Sequence, residues 1–360
     1  MRRASAATRC PVPAYDARRR SFIKSFLMSS ISFIPRARAM RAAALRVVAA
    51  IAFLGAIAAR AEAPPPVVQT WTAGGGGASR SYFLSDDDKP KQPRPLIVAL
   101  HGGGSNAALL AAATGLSKAA RDAGFLVAYP NGSGAAADAY TWNSGACCGY
   151  AKARNVDDVA HLQALVARLV SQGRADPARV FAVGFSNGGM MAYRWAAQAP
   201  GTLRAVAAVS ATLDIDPALV REGLPVLHIH GTDDPYVPYA GGIGRKASTG
   251  APRLAVEAAV ARWAAAMDAR AQGAEKLRSP AGDDGTSVTR VRHATASDPQ
   301  AVVLYRIEGG GHTWPGSALA STPDNRVSRQ LDASETVVAF FKAHAKPCPK
   351  QRAASRSLRC

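Results

Sequence analysis

The chain has 360 residues, and its 48% hydrophobic content is enough for one large domain, or two small ones, with a sizeable buried core. Its formal charge of +19 is unevenly placed, because residues 1–61 hold 12 of the 44 Lys/Arg and 1 of the 25 Asp/Glu. The remainder is mildly basic without a dense stripe of Lys or Arg, which argues against a nucleic-acid partner.

The first 61 residues have the pattern of an export signal region. From Met40, basic residues precede an apolar stretch at 47–59, and a small-x-small site for signal peptidase follows at 59–61. Met40 is therefore a candidate true start, and the twin-arginine-like "RRSFIK" at 19–24 is a rival signal. The apolar stretch is short for a bilayer span, which disfavours an uncleaved anchor. We expect a secreted protein, extracellular or periplasmic, with no membrane contact after cleavage.

Residues 62–347 form the expected catalytic domain, and 348–360 a C-terminal tail. After a loose leader, short apolar strands alternate with helices, interrupted by a long irregular stretch at 131–155. Strands are predicted at 79–85, 96–100, 124–130, 179–183, 203–211, 225–231 and 301–307, and helices at 107–123, 156–173, 190–196, 251–267 and 333–345. This alternation predicts an α/β fold with a mostly parallel central sheet and helices on both faces. Ligands in such folds gather at the carboxyl ends of the strands.

One of these strand ends has the pattern of a nucleophile elbow. In "VFAVGFSNGGMMAYRWA", at 180–196, an apolar strand passes through Gly-Phe-Ser-Asn-Gly-Gly into a helix. Glycines beside a serine allow a turn so tight that the hydroxyl projects into a cleft. The motif could also arise by chance in a chain with 32 glycines, so the case for Ser186 depends on the other strand ends.

Three further strand ends carry residues that suit the same chemistry. The strand at 96–100 ends in "HGGG", where bare backbone N–H groups could form an oxyanion hole. The strand at 225–231 is followed by Asp233 and Asp234, and the strand at 301–307 by a glycine-rich turn with His312. The chain order Ser, Asp, His is the order found in α/β-hydrolases. Together these ends predict an α/β-hydrolase fold.

The motifs "LHGGGSNA", "AYPNG", "TWNSGACCGYAKARNVDDV", "GFSNGGMMAYRWA", "HGTDDPYVPY" and "GGGHTWPG" resemble a known family. They are similar to the polyhydroxybutyrate depolymerase and feruloyl esterase-like branch of secreted α/β-hydrolases, over about residues 68–345. The resemblance implies that Ser186 is the nucleophile, His312 the base and Asp234, rather than Asp233, the acid. It implies a serine esterase acting on feruloyl or acetyl esters of plant polysaccharide, or on short hydroxyalkanoate polyester.

The mechanism that these residues imply needs no metal or cofactor. The backbone N–H of Asn187, with one from the Gly102-Gly103 turn, is expected to stabilise the oxyanion. Four loop aromatics near the strand ends are candidates either for lining the acyl pocket or for plain packing: Trp142, Tyr150, Tyr236 and Trp314. The expected partner is an ester substrate, which can be polymeric or oligomeric.

Several other residues have ordinary explanations beside functional ones. His228 and His230 alternate on a strand, which fits core packing and hydrogen bonding better than a metal pair. Asp157 and Asp158 are expected to be helix-cap and surface residues, with Asn155 an alternative cap. Met190 and Met191, on the elbow helix, are expected in the core.

Four cysteines remain after the leader: Cys147, Cys148, Cys348 and Cys360. An even number in an exported chain suggests disulfides, and four cysteines allow three pairings. The family resemblance implies a bond between the neighbours Cys147 and Cys148. Bonds from this loop to the C-terminal tail are the alternatives.

Two other classes of function compete with the esterase. A serine peptidase of the prolyl-oligopeptidase type shares the Gly-x-Ser-x-Gly-Gly pattern, but it also carries a large propeller for which this chain has no room. A non-catalytic binding module would be expected to lack a member of the triad. Only a short segment separates the strands at 203–211 and 225–231, so no lid domain is expected there.

Overall fold

The computed structural model describes residues 68–345 except 73–78, 87, 89, 137, 221–222, 248 and 279–281. The described residues contain ten strands, β1 to β10: Val68–Thr72, Ser79–Leu84, Arg94–Leu100, Leu126–Pro130, Ala175–Phe185, Ala205–Val209, Val226–Gly231, Arg270–Lys276, Ser287–Ala294 and Val302–Glu308. They also contain seven α-helices, α1 to α7: Ala107–Thr114, Leu116–Asp122, Gly149–Ala153, Asp158–Ser171, Asn187–Gln198, Val256–Ala266 and Ala333–His344. The predicted signal region, the candidate start Met40 and the tail at 348–360 lie outside the described residues.

The strands form one sheet in the order β1-β2-β4-β3-β5-β6-β7-β10-β9-β8. The six strands from β4 to β10 in this order pair in parallel, and the outer strands add antiparallel pairs at both ends. The central strands β6 and β7 are buried along their whole length. Such strands need apolar side chains on both faces, which is why "AVAAV" lacks alternation. The predicted mostly parallel sheet is confirmed.

Helices cover the sheet on both faces, as predicted. Helices α1, α2 and α7 contribute to one apolar cluster with side chains such as Leu116 and Phe341. Helices α4, α5 and α6 contribute to the other, with side chains such as Leu165, Trp195 and Trp263. Because both faces are covered, the carboxyl edge of the parallel strands is left for loops, and the loops at this edge carry the predicted site residues.

The structure divides one predicted helix and adds four elements that were not predicted: β1, α3, β8 and β9. The predicted helix at 107–123 is two helices, because Gly115 has a φ of 70°. Strand β1 lies in the predicted loose leader, and α3 lies in the predicted irregular stretch. Strand β8 is exposed throughout, so "RAQGAEK" has no apolar alternation that could reveal it. It pairs with β9, which extends the sheet beyond β10.

The connection from β6 to β7 is short. Its described residues hold one 3₁₀ turn, Pro217–Leu219, and no helical domain of their own. No helix within the described part of the chain combines the length and the hydropathy of a membrane span.

Candidate active site

The turn from β5 into α5 is the sharp elbow that the sequence predicts. Ser186 has φ 54° and ψ −122°, a left-handed conformation that is costly for a residue with a side chain. A Cβ at Gly184 would overlap the backbone of Gly188, and one at Gly188 would overlap the carbonyl of Leu100. Glycine is therefore required on both sides of Ser186. The Ser186 N–H donates to Val209 O at 2.8 Å, which ties the elbow to β6.

The acid and the base meet at this edge of the sheet. Asp234, in the turn after β7, has its Oδ2 2.7 Å from Nδ1 of His312, in the loop after β10. Its Oδ1 accepts the backbone N–H groups of Tyr236 and Val237, both at 2.8 Å. Asp233 is exposed and contacts Thr232 instead. The geometry therefore favours Asp234 as the partner of the histidine.

The environment of Asp234 keeps its carboxylate ionised. Burial alone would raise the pKa of this carboxyl group, which is only 5% exposed. Hydrogen bonds from His230 and His312, together with their charges, outweigh burial and hold the pKa well below its usual value. An ionised Oδ2 accepts the Nδ1–H of His312, which leaves Nε2 of that ring as a proton acceptor.

His312 is fixed by contacts on its ring and on its backbone. The centroid of its ring lies 4.9 Å from the ring centroid of Phe185 and 5.0 Å from that of Tyr236. Its backbone N–H donates to Oδ1 of Asn325 at 2.6 Å, and Asn325 Nδ2 donates back to His312 O at 3.4 Å. Asn325 was not predicted, because it lies in a polar loop with no motif of its own.

The "HGGG" loop packs directly over the elbow. A Cβ at Gly102 would lie 3.5 Å from Cβ of Ser186, and one at Gly103 would lie 3.5 Å from Cβ of Asn187. The structure thus brings all three predicted oxyanion residues beside the predicted nucleophile. Asn187 is the first residue of α5, and the N–H groups of a helix's first turn have no partner within the helix.

Of the two roles predicted for Trp142 and Trp314, their burial favours packing over lining the acyl pocket. Trp142 is fully buried, and its indole N–H donates to His101 O at 3.0 Å. The Asn187 side chain binds the Trp142 backbone twice, through Oδ1 at 2.8 Å and Nδ2 at 3.0 Å. Trp314 is 2% exposed, and its indole N–H donates to Ser334 at 3.0 Å. Trp142 therefore holds His101 and Asn187 in place through hydrogen bonds. Trp314 fixes the position of α7 through Ser334.

Tyr236 and Tyr150 have exposed rings that could contact a ligand. Tyr236 is 40% exposed, and its ring lies beside His312. Tyr150 is 37% exposed, and the guanidinium of Arg154 lies 5.6 Å from its ring centroid. Of these two tyrosines, Tyr236 contacts a member of the predicted triad, and both stay predictions as substrate contacts.

His101 fixes the other side of the oxyanion loop, which the sequence did not reveal. Burial lowers the pKa of His101 to about 4, so the ring is neutral at neutral pH. Its Nε2 accepts the Gly132 N–H at 3.0 Å. The remaining nitrogen, Nδ1, therefore carries the proton and donates to Gly102 O at 2.8 Å.

The paired aspartates at the start of α4 have different roles. Asp157 is the helix cap, as predicted, and its side chain accepts the Ala160 N–H. Asp158 is not a surface residue, which corrects the prediction. Its carboxylate is fully buried, 2.6 Å from Arg80, and accepts the Asn143 N–H at 2.7 Å. Asp158 thus anchors the loop that carries Trp142.

Other predicted residues fall where ordinary packing puts them. Met190 and Met191 are buried in the core. Among the described residues, no cluster of three or more His, Cys, Asp or Glu side chains has the arrangement of a metal site. His228 and His230 are buried on β7 and hydrogen-bond to each other at 3.2 Å.

Parts of the chain are similar in sequence to known proteins. Residues 87–249 match the family model Abhydrolase_2, described as Phospholipase/Carboxylesterase. "Putative esterase NocK" of Nocardia uniformis subsp. tsuyamanensis is 36% identical over 51% of this chain and 57% of that protein. Feruloyl esterase B of Piromyces equi is 31% identical over 36% of this chain and 24% of that protein. The chain thus spans little more than half of the first relative and about a quarter of the second.

A solved structure extends the likeness over most of the fold. Acetyl xylan esterase from Aspergillus awamori has a TM-score of 0.50 and 15% identity, covering 76% of this chain and 99% of that one. The sheet and the elbow give the chain the α/β-hydrolase fold. In sequence, parts of the chain are similar to a carboxylesterase family and to curated proteins that are named as esterases.

Proposed function

We propose that the chain is a secreted serine esterase that hydrolyses carboxylic esters through an acyl-enzyme, with Ser186, His312 and Asp234 as its triad. The observation that carries the proposal is the 2.7 Å contact between Asp234 and His312 at the sheet edge where the strained elbow presents Ser186. His312 takes the Ser186 hydroxyl proton as the oxygen attacks the ester carbonyl. The ionised Asp234 holds the imidazole and stabilises its charged form.

The intermediates follow from the same groups. The tetrahedral oxyanion is bound by the Asn187 N–H and by an N–H of the Gly102-Gly103 turn, each worth about 3 kcal/mol. Collapse of the intermediate expels the alcohol, which takes the proton from His312. Water, deprotonated by His312, then attacks the acyl-enzyme, and the carboxylic acid leaves as Ser186 regains its proton.

The proposed substrates are short-chain or hydroxycinnamoyl esters, with soluble hydroxybutyrate oligomers as a close alternative. The short β6–β7 connection supports an open cleft, which admits the side or end of a bulky alcohol such as a sugar chain. The half-exposed Tyr236 ring beside His312 offers a flat apolar wall for an acyl group. The name of one curated relative, feruloyl esterase B, points in the same direction.

A substrate panel tests this proposal. We expect hydrolysis of chromogenic acetyl and butyryl esters and of methyl ferulate, and little activity on emulsified long-chain triglyceride. Preferred cleavage of a peptide anilide would identify the peptidase alternative instead. Binding of feruloylated sugar without turnover would identify a binding module. Activation at an oil surface would contradict the open cleft.

We also propose that Cys147 and Cys148 form a disulfide in an oxidising compartment. The two cysteines are neighbours in the loop beside Trp142, where Cys147 O accepts the Ser144 N–H at 2.6 Å. The alternative partners Cys348 and Cys360 lie outside the described residues. Mass mapping of a non-reduced digest is expected to give one peptide with both neighbours oxidised, and a link to the tail would overturn the pairing.

A further inference from the structure

A buried chain of hydrogen bonds runs from the middle of α5 to the proposed catalytic acid. The Tyr193 hydroxyl lies 2.8 Å from Nδ1 of His228, and His228 Nε2 lies 3.2 Å from Nδ1 of His230. His230 Nε2 then lies 2.8 Å from Val237 O and 3.3 Å from Oδ2 of Asp234. The side chains of Tyr193, His228 and His230 are each at most 1% exposed.

The end groups of these hydrogen bonds fix where His230 carries a proton. A backbone carbonyl and a carboxylate can only accept, so His230 must carry a proton on Nε2. Its other nitrogen, Nδ1, lies against Nε2 of His228, whose ring packs between His230 and the Tyr193 hydroxyl. Burial is the main reason that the pKa of His228 lies well below its usual value, so the His228 ring stays neutral.

We propose that His230 is a positioning residue of the triad, whose Nε2–H holds Oδ2 of Asp234 against His312, with His228 and Tyr193 holding His230. Oδ2 thereby lies 2.7 Å from His312 Nδ1 and 3.3 Å from His230 Nε2, while Oδ1 accepts the backbone N–H groups of Tyr236 and Val237. All four fix the plane of the carboxylate. This inference rests on the proposed esterase function.

Other charged groups near His230 are already paired. Arg306 is its register partner on β10 and makes ion pairs with Glu308 at 2.6 Å and Glu257 at 3.3 Å. The Tyr239 ring meets that of His230 edge-on at 6.0 Å, and its hydroxyl donates to Glu257 at 2.9 Å. Asp234 is therefore the carboxylate that the His230 N–H meets.

Two amide variants separate positioning from packing. The terminal amide of Gln can replace Nε2 as a donor, whereas the shorter Asn reaches only the place of Nδ1. We expect His230→Gln to keep kcat within about threefold, and His230→Asn to lower kcat about tenfold with little change in KM. Loss of the donor leaves more charge on Oδ2 beside His312. The acid limb of the pH–rate profile of His230→Asn should therefore shift to higher pH, by about half a pH unit to one pH unit.

His161→Gln is the matched control, since His161 is a buried histidine beside Arg80, on helix α4. The inference would be overturned if His230→Asn and His230→Gln had equal pH–rate profiles. It would also be overturned if the profile of His161→Gln shifted as much as that of His230→Asn. For wild-type protein with labelled histidines, ¹⁵N NMR is expected to show His230 protonated on Nε2, and a proton on Nδ1 alone would overturn it without any variant. Absence of esterase activity in the wild type would instead defeat the proposed function.

Discussion

Asp157 and Asp158 are neighbours at the start of α4, yet their replacement by alanine is expected to have very different effects. Asp158 is fully buried against Arg80, whose side chain is 8% exposed, and it also accepts the Asn143 N–H. Removing one partner of a buried ion pair costs about 3–5 kcal/mol, because the other charge stays buried. The exposed Asp157 only caps the helix, and loss of a cap costs about 1 kcal/mol.

Thermal unfolding followed by circular dichroism measures the difference. In a domain of this size 1 kcal/mol corresponds to about 2–4 °C in Tm, so Asp158→Ala is expected to lower Tm by about 10 °C and Asp157→Ala by about 3 °C. The double variant Arg80→Met/Asp158→Leu removes both charges and should recover part of the loss. Equal Tm values for the two alanine variants would refute the assignment of a buried, stabilising ion pair.

Three further predictions concern the site. Asp234→Asn should lower kcat by about 10⁴-fold and Asp233→Asn by less than about twofold in ester hydrolysis, and the reverse order would move the acid to Asp233. Trp142→Phe removes the bond to His101 O, so kcat should fall about fivefold with KM unchanged, whereas a rise in KM alone would restore Trp142 as a substrate contact. The lowered pKa of Asp234 stabilises the fold above its unfolded pKa of about 3.9, and this contribution is lost as pH falls below that value. Urea titrations should therefore show the stability difference between wild type and Asp234→Asn shrinking from pH 7 to pH 3, and a constant difference would contradict it.

The sequence predicts the parts of the site that depend on local chain geometry. Ser186 needs glycines in contact with Leu100 and Gly188, and that requirement is visible as a motif. Asp234 and His312 follow apolar strands, and parallel strands bring their carboxyl ends to one edge. The alternating helices and central strands were predicted correctly because their apolar patterns are also local features of the sequence.

The sequence does not show which loop side chains turn inward. From the sequence, Trp142 could line the acyl pocket or pack in the core, and only the fold shows that its indole N–H donates to the His101 carbonyl. Asp158 looks like a helix-start carboxylate, and only the fold shows that Arg80, 78 residues earlier in the chain, reaches it. Such long-range partners leave no local pattern.

The central claim is that Ser186 is the nucleophile, and covalent labelling tests it most directly. The protein is treated with a chromogenic phosphonate ester, and the labelled peptide is mapped by mass spectrometry alongside the Ser186→Ala variant. We expect one stoichiometric adduct on Ser186, complete loss of ester hydrolysis on labelling, and neither adduct nor activity in the folded variant. An adduct on another residue, or ester hydrolysis that persists in Ser186→Ala, would contradict the assignment.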